Sequence, residues 1–274
     1  MLEQCVDSIL SKTQYPNFEI VIVNNGPRQP SEFVYYRQIA KDARVRVLHD
    51  ERPFNYSAAN NLGAQCANGD MLVFLNSDTA VLAGDWLDEI VMWLERVDIG
   101  VVGAKLLLPD SRIQHAGVVM GLSGYAGHVF AGEPEGRGSI FGFAEWYRDY
   151  LAVTGACLAI QRELFERLGG FNTSFVLCGS DVELCLRVRQ TGMRVVYNPF
   201  VRLRHHESAT RGSVVPDSDY EASYTHYLPY LQNGDPFFSP HLSHWSTAPA
   251  LRKRDERTPL EFATAHLHAL TEGP

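Results

Sequence analysis

Residues 52–81 read RPFNYSAANNLGAQCANGDMLVFLNSDTAV, and this stretch decides the fold class. Residues 57–66 have the composition of a helix, with Ser57 placed to cap its N-terminus. The run MLVFL at 71–75 is apolar throughout, which is typical of a parallel strand buried on both faces. The polar residues 76–78 end that run. A helix, a buried strand and a polar strand end in this order predict one unit of an α/β fold.

The same alternation continues on both sides of this stretch. The run FEIVIV at 18–23 predicts another buried strand, residues 85–96 predict an amphipathic helix, and residues 99–107 predict a further strand. Strands that alternate with helices indicate a mostly parallel sheet with helices on both faces. Ligands of such sheets bind beyond the carboxyl ends of the strands, where both Asn24 and Asp78 lie.

Beyond the last of these strands the pattern is less regular. Residues 121–143 are rich in glycine and aromatic side chains, and this composition predicts loops or a lid. Residues 151–160 predict a strand and residues 180–190 a helix, and two short strands are expected on either side of Pro199. The C-terminal stretch from about Asp235 is proline-rich and then charged, and we expect it to be partly flexible.

The overall composition excludes several classes of protein. Of 274 residues, 45% are hydrophobic and 20% are charged, which argues against a disordered chain. The formal net charge of −8 argues against a nucleic-acid-binding protein. The five cysteines form no CxxC pair, so neither a disulfide scaffold nor a structural zinc site is expected. No apolar run reaches the ~18 residues of a membrane span, which favours a cytoplasmic protein and still allows contact with a membrane surface.

Two carboxylates are the first candidates for chemistry. Asp78 follows a buried strand and can hold a hard divalent cation that also binds phosphate oxygens, although aspartate at a strand end also caps turns. Asp181 lies near the predicted start of a helix, where it either acts as a general base or only stabilises the helix dipole. Glu183 points elsewhere on the same helix and is interpreted as structural.

The stretch after this helix supplies imidazole and guanidinium groups. His205 and His206 follow a predicted strand, and neutral imidazole is a common metal ligand. Six arginines lie between residues 187 and 211, with Glu207 as the only acid among them. Most of these arginines are expected in ordinary ion pairs, and Arg211 is the best candidate to face an anionic diphosphate.

Taken together, these motifs resemble those of the family 2 glycosyltransferases, which have the nucleotide-sugar-binding GT-A fold. The resemblance covers about residues 1–245, and it is closest to bacterial enzymes of O-antigen and other surface-polysaccharide synthesis, such as rhamnosyltransferases. Six segments carry it in order: CVDSILSKTQYPNFEIVIVNNG, residues 52–81 as quoted above, VVGAKLLLPDSRIQHAGVV, AVTGACLAIQRELFERLGGFN, SDVELCLRVRQTGMRVVYNP and LRHHESATRG.

The resemblance implies roles for particular residues. The tripeptide 76–78 matches the family's metal-binding DxD motif with asparagine in the first acidic position, so Asp78 would bind Mg²⁺ or Mn²⁺. Asp181 matches the aspartate of the family's ED motif, the general base, and Ser180 replaces the glutamate. His205 matches a histidine associated with the metal or the diphosphate, and His206 is the alternative.

The resemblance also implies a donor site and a reaction. The nucleotide-sugar site would include Asn24, Asn60, Asn76, Asp78 and Arg211, with Asn24 where the family usually has an aspartate that contacts the base. A divalent cation would neutralise charge on the leaving nucleoside diphosphate. The general base would deprotonate the acceptor hydroxyl, and one displacement would invert the anomeric configuration. The expected acceptor is a glycan or a lipid-linked sugar, which would bring the protein to the inner face of the plasma membrane.

Two other functions compete with this interpretation. A degenerate family member could bind a nucleotide or a glycan without turnover, and the substitutions at Asn24, Asn76 and Ser180 favour that alternative. The retention of Asp78, Asp181 and His205 opposes it. A dinucleotide-dependent oxidoreductase is disfavoured because no GxGxxG follows the early strands.

The resemblance further predicts the domain organisation. A GT-A domain is expected over residues 1–232, with a nucleotide-binding half over 1–107 and an acceptor and catalytic half over 108–232. A C-terminal extension would occupy 233–274. Family members have a buried strand before the helix that ends in CVDSIL. Since Met1 lies inside that helix, we expect either that the chain is truncated at its N-terminus, with a gap in the sheet beside residues 18–23, or that another segment fills this gap.

Overall fold

The computed structural model describes residues 1–25, 30–206 and 214–272. It contains an α/β fold whose eight α-helices in these ranges are α1 (Leu2–Lys12), α2 (Pro30–Ile39), α3 (Tyr56–Cys66), α4 (Trp86–Leu94), α5 (Arg162–Arg167), α6 (Ser180–Gln190), α7 (Asp217–Asn233) and α8 (Pro259–Glu272). The strands of the same ranges are β1 (Ile20–Asn24), β2 (Val45–His49), β3 (Met71–Leu75), β4 (Thr79–Val81), β5 (Ile99–Leu107), β6 (Ile113–His115), β7 (Val118–Met120), β8 (Ala126–His128), β9 (Arg148–Tyr150), β10 (Cys157–Gln161) and β11 (Arg194–His205).

The central sheet has the order β3-β10-β5-β11-β4, with β6 paired to β5 and β9 paired to β11. The strands β5 and β11 are parallel, whereas β10 runs antiparallel to both β3 and β5. The strands β3, β5 and β11 therefore share one direction, and the sheet is mixed. The expected α/β class is confirmed, with β10 as an antiparallel strand that the alternation of elements did not predict.

Helices cover both faces of this sheet, as the side chains of β10 show. Leu158 and Ile160 pack in one cluster with Leu164 of α5 and Leu184 of α6. Their neighbours Cys157 and Ala159 point to the other face, in a second cluster that contains residues of α1 and α4. Successive residues of a strand face opposite sides, so two cores form around a single layer of strands.

The strands β1 and β2 form a separate parallel pair. Within the described ranges, β1 pairs with β2 alone and β3 pairs with β10 alone, so the sheet is divided beside the predicted strand 18–23. Helix α1 joins the two parts. Its Val6 packs with Ile22 of β1, while its Ile9 packs with Val81 of β4.

Several predicted elements differ from the observed ones. The N-cap of α3 is Asn55, whose side chain accepts a hydrogen bond from Ala58 N–H, whereas Ser57 is buried and donates to the Phe175 carbonyl. The strand predicted at 151–160 begins only at Cys157, because the apolar residues before it are buried without joining a ladder. An apolar run indicates burial and does not by itself distinguish a strand from a buried loop.

The structure also corrects the region around Pro199 and the expected lid. Strand β11 continues through Pro199, with an irregularity in its pairing to β5 between Asn198 and Arg202. Val129 and Phe130, inside the predicted lid, are fully buried in the main core. Part of this glycine-rich segment is therefore a packed layer of the domain.

The C-terminal stretch packs on the same core. Ala263 of α8 is buried, and the Tyr125 hydroxyl lies 3.1 Å from His266 Nδ1. The boundary expected at residue 232 falls one residue before the end of α7. No helix of the described residues is long and apolar enough to cross a membrane.

Candidate active site

Asp78 and His205 meet at one end of the central sheet. Asp78 lies in the turn between β3 and β4, and His205 is the last residue of β11, which pairs with Thr79 of β4. The Asp78 carbonyl accepts a hydrogen bond from His206 N–H at 3.0 Å. This pairing places His205 Nε2 at 3.1 Å from Asp78 Oδ1, with both side chains buried.

A glutamine holds the other side of the same imidazole. Gln114 of β6 places its Oε1 atom 3.0 Å from His205 Nδ1, and its side chain is also buried. Gln114 and His205 are 91 residues apart in the sequence, so no local pattern predicted their contact. The result is a buried row of three side chains in the order glutamine, histidine, aspartate.

This row can hold a divalent cation together with a phosphorylated ligand. Among the described residues, no group of three or more His, Cys, Asp and Glu side chains is placed to hold a metal ion. Asp78 and His205 therefore offer two protein ligands. Magnesium commonly uses one or two carboxylates plus substrate phosphates, and adjacent ligands of an octahedral ion at 2.0–2.1 Å lie about 3 Å apart. The observed 3.1 Å between Oδ1 and Nε2 fits that spacing.

His206, the alternative ligand, also lies at this site. Its Nε2 atom is buried, and no hydrogen-bond partner for it exists among the described residues. Arg211, predicted to face the diphosphate, lies outside the described residues. The structure therefore bears on His205 and His206, and the role of Arg211 stays a prediction.

The asparagines predicted for the donor site occupy three elements. Asn76 directly follows β3, and its backbone N–H donates to the Ala156 carbonyl at 3.1 Å. Asn24 is the last residue of β1, beside His49 of β2. Asn60 lies on α3 and donates to the Tyr56 carbonyl. Asn24 and Asn76 thus both lie at carboxyl ends of strands, as predicted, although in the two separate parts of the sheet.

Asp181 lies in the first turn of α6 and is half-buried. Its Oδ2 atom accepts a hydrogen bond from Gly155 N–H at 2.6 Å, and its Oδ1 atom accepts one from Val182 N–H at 2.9 Å. Gly155 directly precedes Ala156, which pairs with Asn76 at the end of β3. Asp181 therefore lies at the same end of the sheet as Asp78.

Close packing at Gly155 requires the absence of a side chain. A Cβ atom there would lie 2.7 Å from the Tyr56 hydroxyl oxygen and 3.1 Å from Asp181 Cβ. That hydroxyl donates to the Gly155 carbonyl at 3.0 Å. The Gly155 carbonyl thus accepts a hydrogen bond from Tyr56 of helix α3, and the Gly155 N–H donates one to Asp181. The Asp181 carboxylate is therefore anchored to a backbone group whose position is fixed.

The loop before α6 is fixed by a residue that the sequence reasoning missed. Asp219 of α7 is 1% exposed. Its carboxylate accepts hydrogen bonds from the N–H groups of Val176, Leu177 and Cys178 at 2.7, 2.8 and 2.9 Å. The Tyr227 hydroxyl, also on α7, donates to the Gly179 carbonyl at 2.7 Å. Gly179 has a positive φ of 95° and precedes the helix that carries Asp181.

Most of the other charged side chains of α6 and β11 form ion pairs. Glu183 is buried and forms an ion pair with Arg187 at 2.7 Å, which agrees with its predicted structural role. Arg194 pairs with Asp98 and Asp149. Three more of the six arginines can be placed: Arg202 pairs with Glu135, Arg189 lies over the ring of Phe237, and Arg204 has a buried Nε without a partner among the described residues.

One more imidazole is buried close to this site. His115, next to Gln114 on β6, accepts a hydrogen bond from Thr154 N–H through Nε2. Burial first, and then the nearby His128 and His205, lower the pKa of His115 well below its usual value. His115 is therefore neutral at physiological pH and adds no charge beside Asp78.

The chain is similar to known glycosyltransferases. The model of the family described as Glycosyl transferase family 2 matches residues 1–169. The O-antigen biosynthesis protein RfbC of Myxococcus xanthus is 47% identical over 93% of this chain and 20% of its own length. An uncharacterized protein, y4gI, of Sinorhizobium fredii is 42% identical over 89% of this chain and 28% of its own length. The chain thus spans less than a third of either relative.

Two solved structures share the fold. GalNAc-T7, crystallised with UDP, GalNAc and Mn²⁺, aligns with a TM-score of 0.65 at 19% identity, over 84% of this chain and 46% of its own. The mannosyltransferase PcManGT from Pyrobaculum calidifontis, in complex with GDP-Man and Mn²⁺, aligns with a TM-score of 0.56 at 18% identity, over 97% of this chain and 66% of its own. At these identities the likeness concerns the fold alone.

Proposed function

The chain belongs to glycosyl transferase family 2, and from that premise we propose that it is a glycosyltransferase. It moves a sugar from a nucleoside diphosphate sugar to a glycan or lipid-linked acceptor, with inversion, in surface-polysaccharide synthesis. The observation that carries this proposal is the position of two buried or half-buried carboxylates, Asp78 and Asp181, at one end of the sheet. The named role of the RfbC relative in O-antigen synthesis supports the polysaccharide part.

The donor end of the site contains Asp78 and His205, which would hold Mg²⁺ or Mn²⁺. When bound, this cation supplies positive charge next to the leaving diphosphate. GalNAc-T7 and PcManGT, which share this fold, were each solved with Mn²⁺, and this supports the choice of a divalent cation. Asn24, Asn60 and Asn76, with Arg211, are proposed to bind the nucleotide sugar. In this proposal residues 1–107 form the nucleotide-binding half.

Asp181 is proposed as the general base at the acceptor end. Two backbone N–H groups hold its carboxylate in place, so its oxygens keep one position while an acceptor hydroxyl approaches. The base takes the proton of that hydroxyl as its oxygen attacks the anomeric carbon from the face opposite the diphosphate. Residues 108–232 would form this acceptor and catalytic half, and residues 233–274 an extension packed on it.

A lipid-linked acceptor would place the enzyme at the inner face of the plasma membrane by contact with its substrate. This part of the proposal concerns the acceptor and requires no spanning helix. Cells that make the acceptor should then retain part of the protein in the membrane fraction, and removal of the lipid-linked intermediate should release it.

The competing function is binding without turnover. It is favoured by Ser180, which takes the place of the glutamate expected beside the base, and by Asn76 in place of an acidic residue. Both substitutions leave Asp78 and Asp181 in place, and the proposed mechanism depends on these two carboxylates.

One screen followed by one assay separates the two functions. A bound donor raises the melting temperature by mass action, so thermal shifts with a panel of nucleotide sugars and Mn²⁺ would identify the donor. Release of nucleoside diphosphate is then measured with and without bacterial lipid-linked acceptors. Acceptor-dependent release supports the transferase. A donor that binds but yields no release with any acceptor would favour the binding function.

A further inference from the structure

We propose that Gln114 is a positioning residue that selects the tautomer in which His205 binds the cation. The inference depends on the proposed metal site, and it adds a residue to which neither the motifs nor the comparisons give a role. Gln114 Oε1, the two ring nitrogens of His205 and Asp78 Oδ1 form one row, with separations of 3.0 and 3.1 Å.

The chemistry of this row determines where the proton lies. An amide oxygen only accepts hydrogen bonds, so His205 Nδ1 must donate to Gln114 Oε1. A neutral imidazole carries one N–H, and the lone pair is then on Nε2. That lone pair faces the Asp78 carboxylate, which is also an acceptor. Two acceptors 3.1 Å apart are favourable when a cation binds to both.

The position of Gln114 is itself fixed by the fold. Its neighbours on β6 pair with β5, Ile113 opposite Leu107 and His115 opposite Leu106. The Gln114 carbonyl lies 3.2 Å from His128 Nδ1 on β8. Gln114 is 5% exposed, so little of it is open to water. Outer partners of this kind orient metal-binding histidines and typically change metal affinity by about 10–100-fold when removed.

The opposite orientation of the Gln114 amide would place the proton on the other ring nitrogen of His205. If the Gln114 amide nitrogen faced His205, it would donate to Nδ1 and leave the proton on Nε2. Nε2–H would then donate to Asp78, and the imidazole could not bind a cation. The tautomer of His205 therefore reports directly on the proposed role.

Binding of Mn²⁺ alone, followed by loss of the free-ion electron paramagnetic resonance signal, tests the role without an activity assay. We expect Gln114→Leu, which keeps the volume and removes the acceptor, to weaken Mn²⁺ binding by about 10–100-fold. The matched control is Gln161→Leu, which loses a hydrogen bond to the Leu94 carbonyl outside this site and should bind Mn²⁺ as the wild type does. Circular dichroism of both variants verifies folding.

The Asp78→Asn variant separates this inference from the metal site itself. Loss of Mn²⁺ binding in Asp78→Asn together with wild-type affinity in Gln114→Leu would overturn the role of Gln114 and keep the site. If the wild-type protein binds no Mn²⁺, with or without a nucleoside diphosphate, both proposals fail. Nitrogen-15 spectra of histidine-labelled protein with Mg²⁺ and nucleoside diphosphate, with the His205 signals identified from a His205→Gln spectrum, should show the Nδ1–H tautomer. An Nε2–H tautomer would overturn the inference even if Gln114→Leu binds Mn²⁺ weakly.

Discussion

The two ends of the candidate site hold their carboxylates in different ways. Asp78 faces a side chain, the imidazole of His205, which is backed in turn by the amide of Gln114. Asp181 faces backbone N–H groups, those of Gly155 and Val182. A side-chain partner can share its carboxylate with a cation, whereas a backbone N–H keeps its place as long as the fold persists. The difference suits a metal site at one end and a base of fixed position at the other.

The largest expected effect is at the backbone-held end. Asp181→Asn keeps the shape of the side chain and removes the proton acceptor, so transfer should fall by about 10²–10⁴-fold. Donor binding should remain within about twofold, because the substitution keeps the shape of the side chain and leaves the proposed donor residues unchanged. Initial rates of transfer and donor titrations check both statements. Asp110→Asn, at an exposed aspartate, is the control, and near-wild-type transfer in Asp181→Asn would remove Asp181 from the base role.

The next effect is at the side-chain-held end. Asp78→Ala removes the single carboxylate of its motif, and donor binding in the presence of Mn²⁺ should weaken by about 100-fold. The same variant should bind the donor equally with and without Mn²⁺. Calorimetric titrations with and without the metal measure this, with Asp85→Ala, at an exposed aspartate, as the control. If Mn²⁺ makes no difference to the wild-type protein, the metal assignment of both Asp78 and His205 is wrong.

A smaller effect is expected at Asp219, which holds the loop before the helix that carries the proposed base. The two oxygens of the Asp219 carboxylate accept hydrogen bonds from three backbone N–H groups of residues 176–178. Asp219→Asn leaves one acceptor oxygen, so one of these N–H groups faces the amide nitrogen and loses its partner. An unpaired buried donor costs about 1–3 kcal/mol of the free energy of unfolding. Because that loop leads into α6, we expect kcat to fall about tenfold with an unchanged KM for the donor.

The control for this variant lies on the same turn of α7. Asp217 is exposed, and Asp217→Asn should alter neither the kinetics nor the stability. Rates are normalised to the folded fraction measured by circular dichroism. If the loss of transfer in Asp219→Asn merely follows the loss of folded protein, Asp219 supports the fold and has no part in placing the base.

The smallest effect on transfer is expected at a third carboxylate, Asp235, which also receives backbone N–H groups, from Met120 and Phe237. Burial raises the pKa of Asp235 from 3.8 to about 6. Because the folded protein holds the proton more tightly, this group stabilises the fold below pH 4 and loses that contribution as the pH rises through 6. At about 1.4 kcal/mol per unit, the change in the free energy of unfolding is at most about 3 kcal/mol.

Urea unfolding of the wild type and of Asp235→Asn between pH 4 and 7 measures this slope. The difference between the two proteins isolates Asp235 from His115, whose lowered pKa acts with the opposite sign. Equal pH dependence in both proteins would contradict the assignment. Sugar transfer by Asp235→Asn at neutral pH should match that of the wild type. This result would show that hydrogen bonds from backbone N–H groups alone do not make a carboxylate catalytic.

The sequence predicts local elements well and pairings between distant residues poorly. Helix α6 and strands β3 and β5 have the predicted bounds, because their patterns are long, periodic or wholly apolar. Pro199 predicted a break between two strands, but an irregular register absorbs it within β11. A proline ends a regular ladder only where its missing N–H is needed, and the sequence does not show which position that is.

The same contrast between local signals and distant pairings applies to the candidate site. Asp78 and Asp181 could be selected from strand ends, helix starts and the family motifs, because those signals are local. Gln114 and Asp219 could not, since they act on groups 91 and about 40 residues away. Gln114 lies in a segment of the resemblance that assigns it no role, and Asp219 lies outside the six segments. A buried glutamine on a short strand looks the same in sequence whether it binds water or an imidazole.

The division of the sheet has a consequence for how the molecule opens. The strands β1 and β2 are covered by the small cluster around Ile22 and Val6, whereas β5 and β10 lie between two large cores. Backbone amides in the small part should therefore exchange their hydrogens with solvent sooner than those of the central strands. Asn24 belongs to that easily opened part. A nucleotide bound there would slow the exchange in β1 and β2 and couple the two parts of the sheet through α1. Binding of the substrate would thus order the part of the protein that receives it.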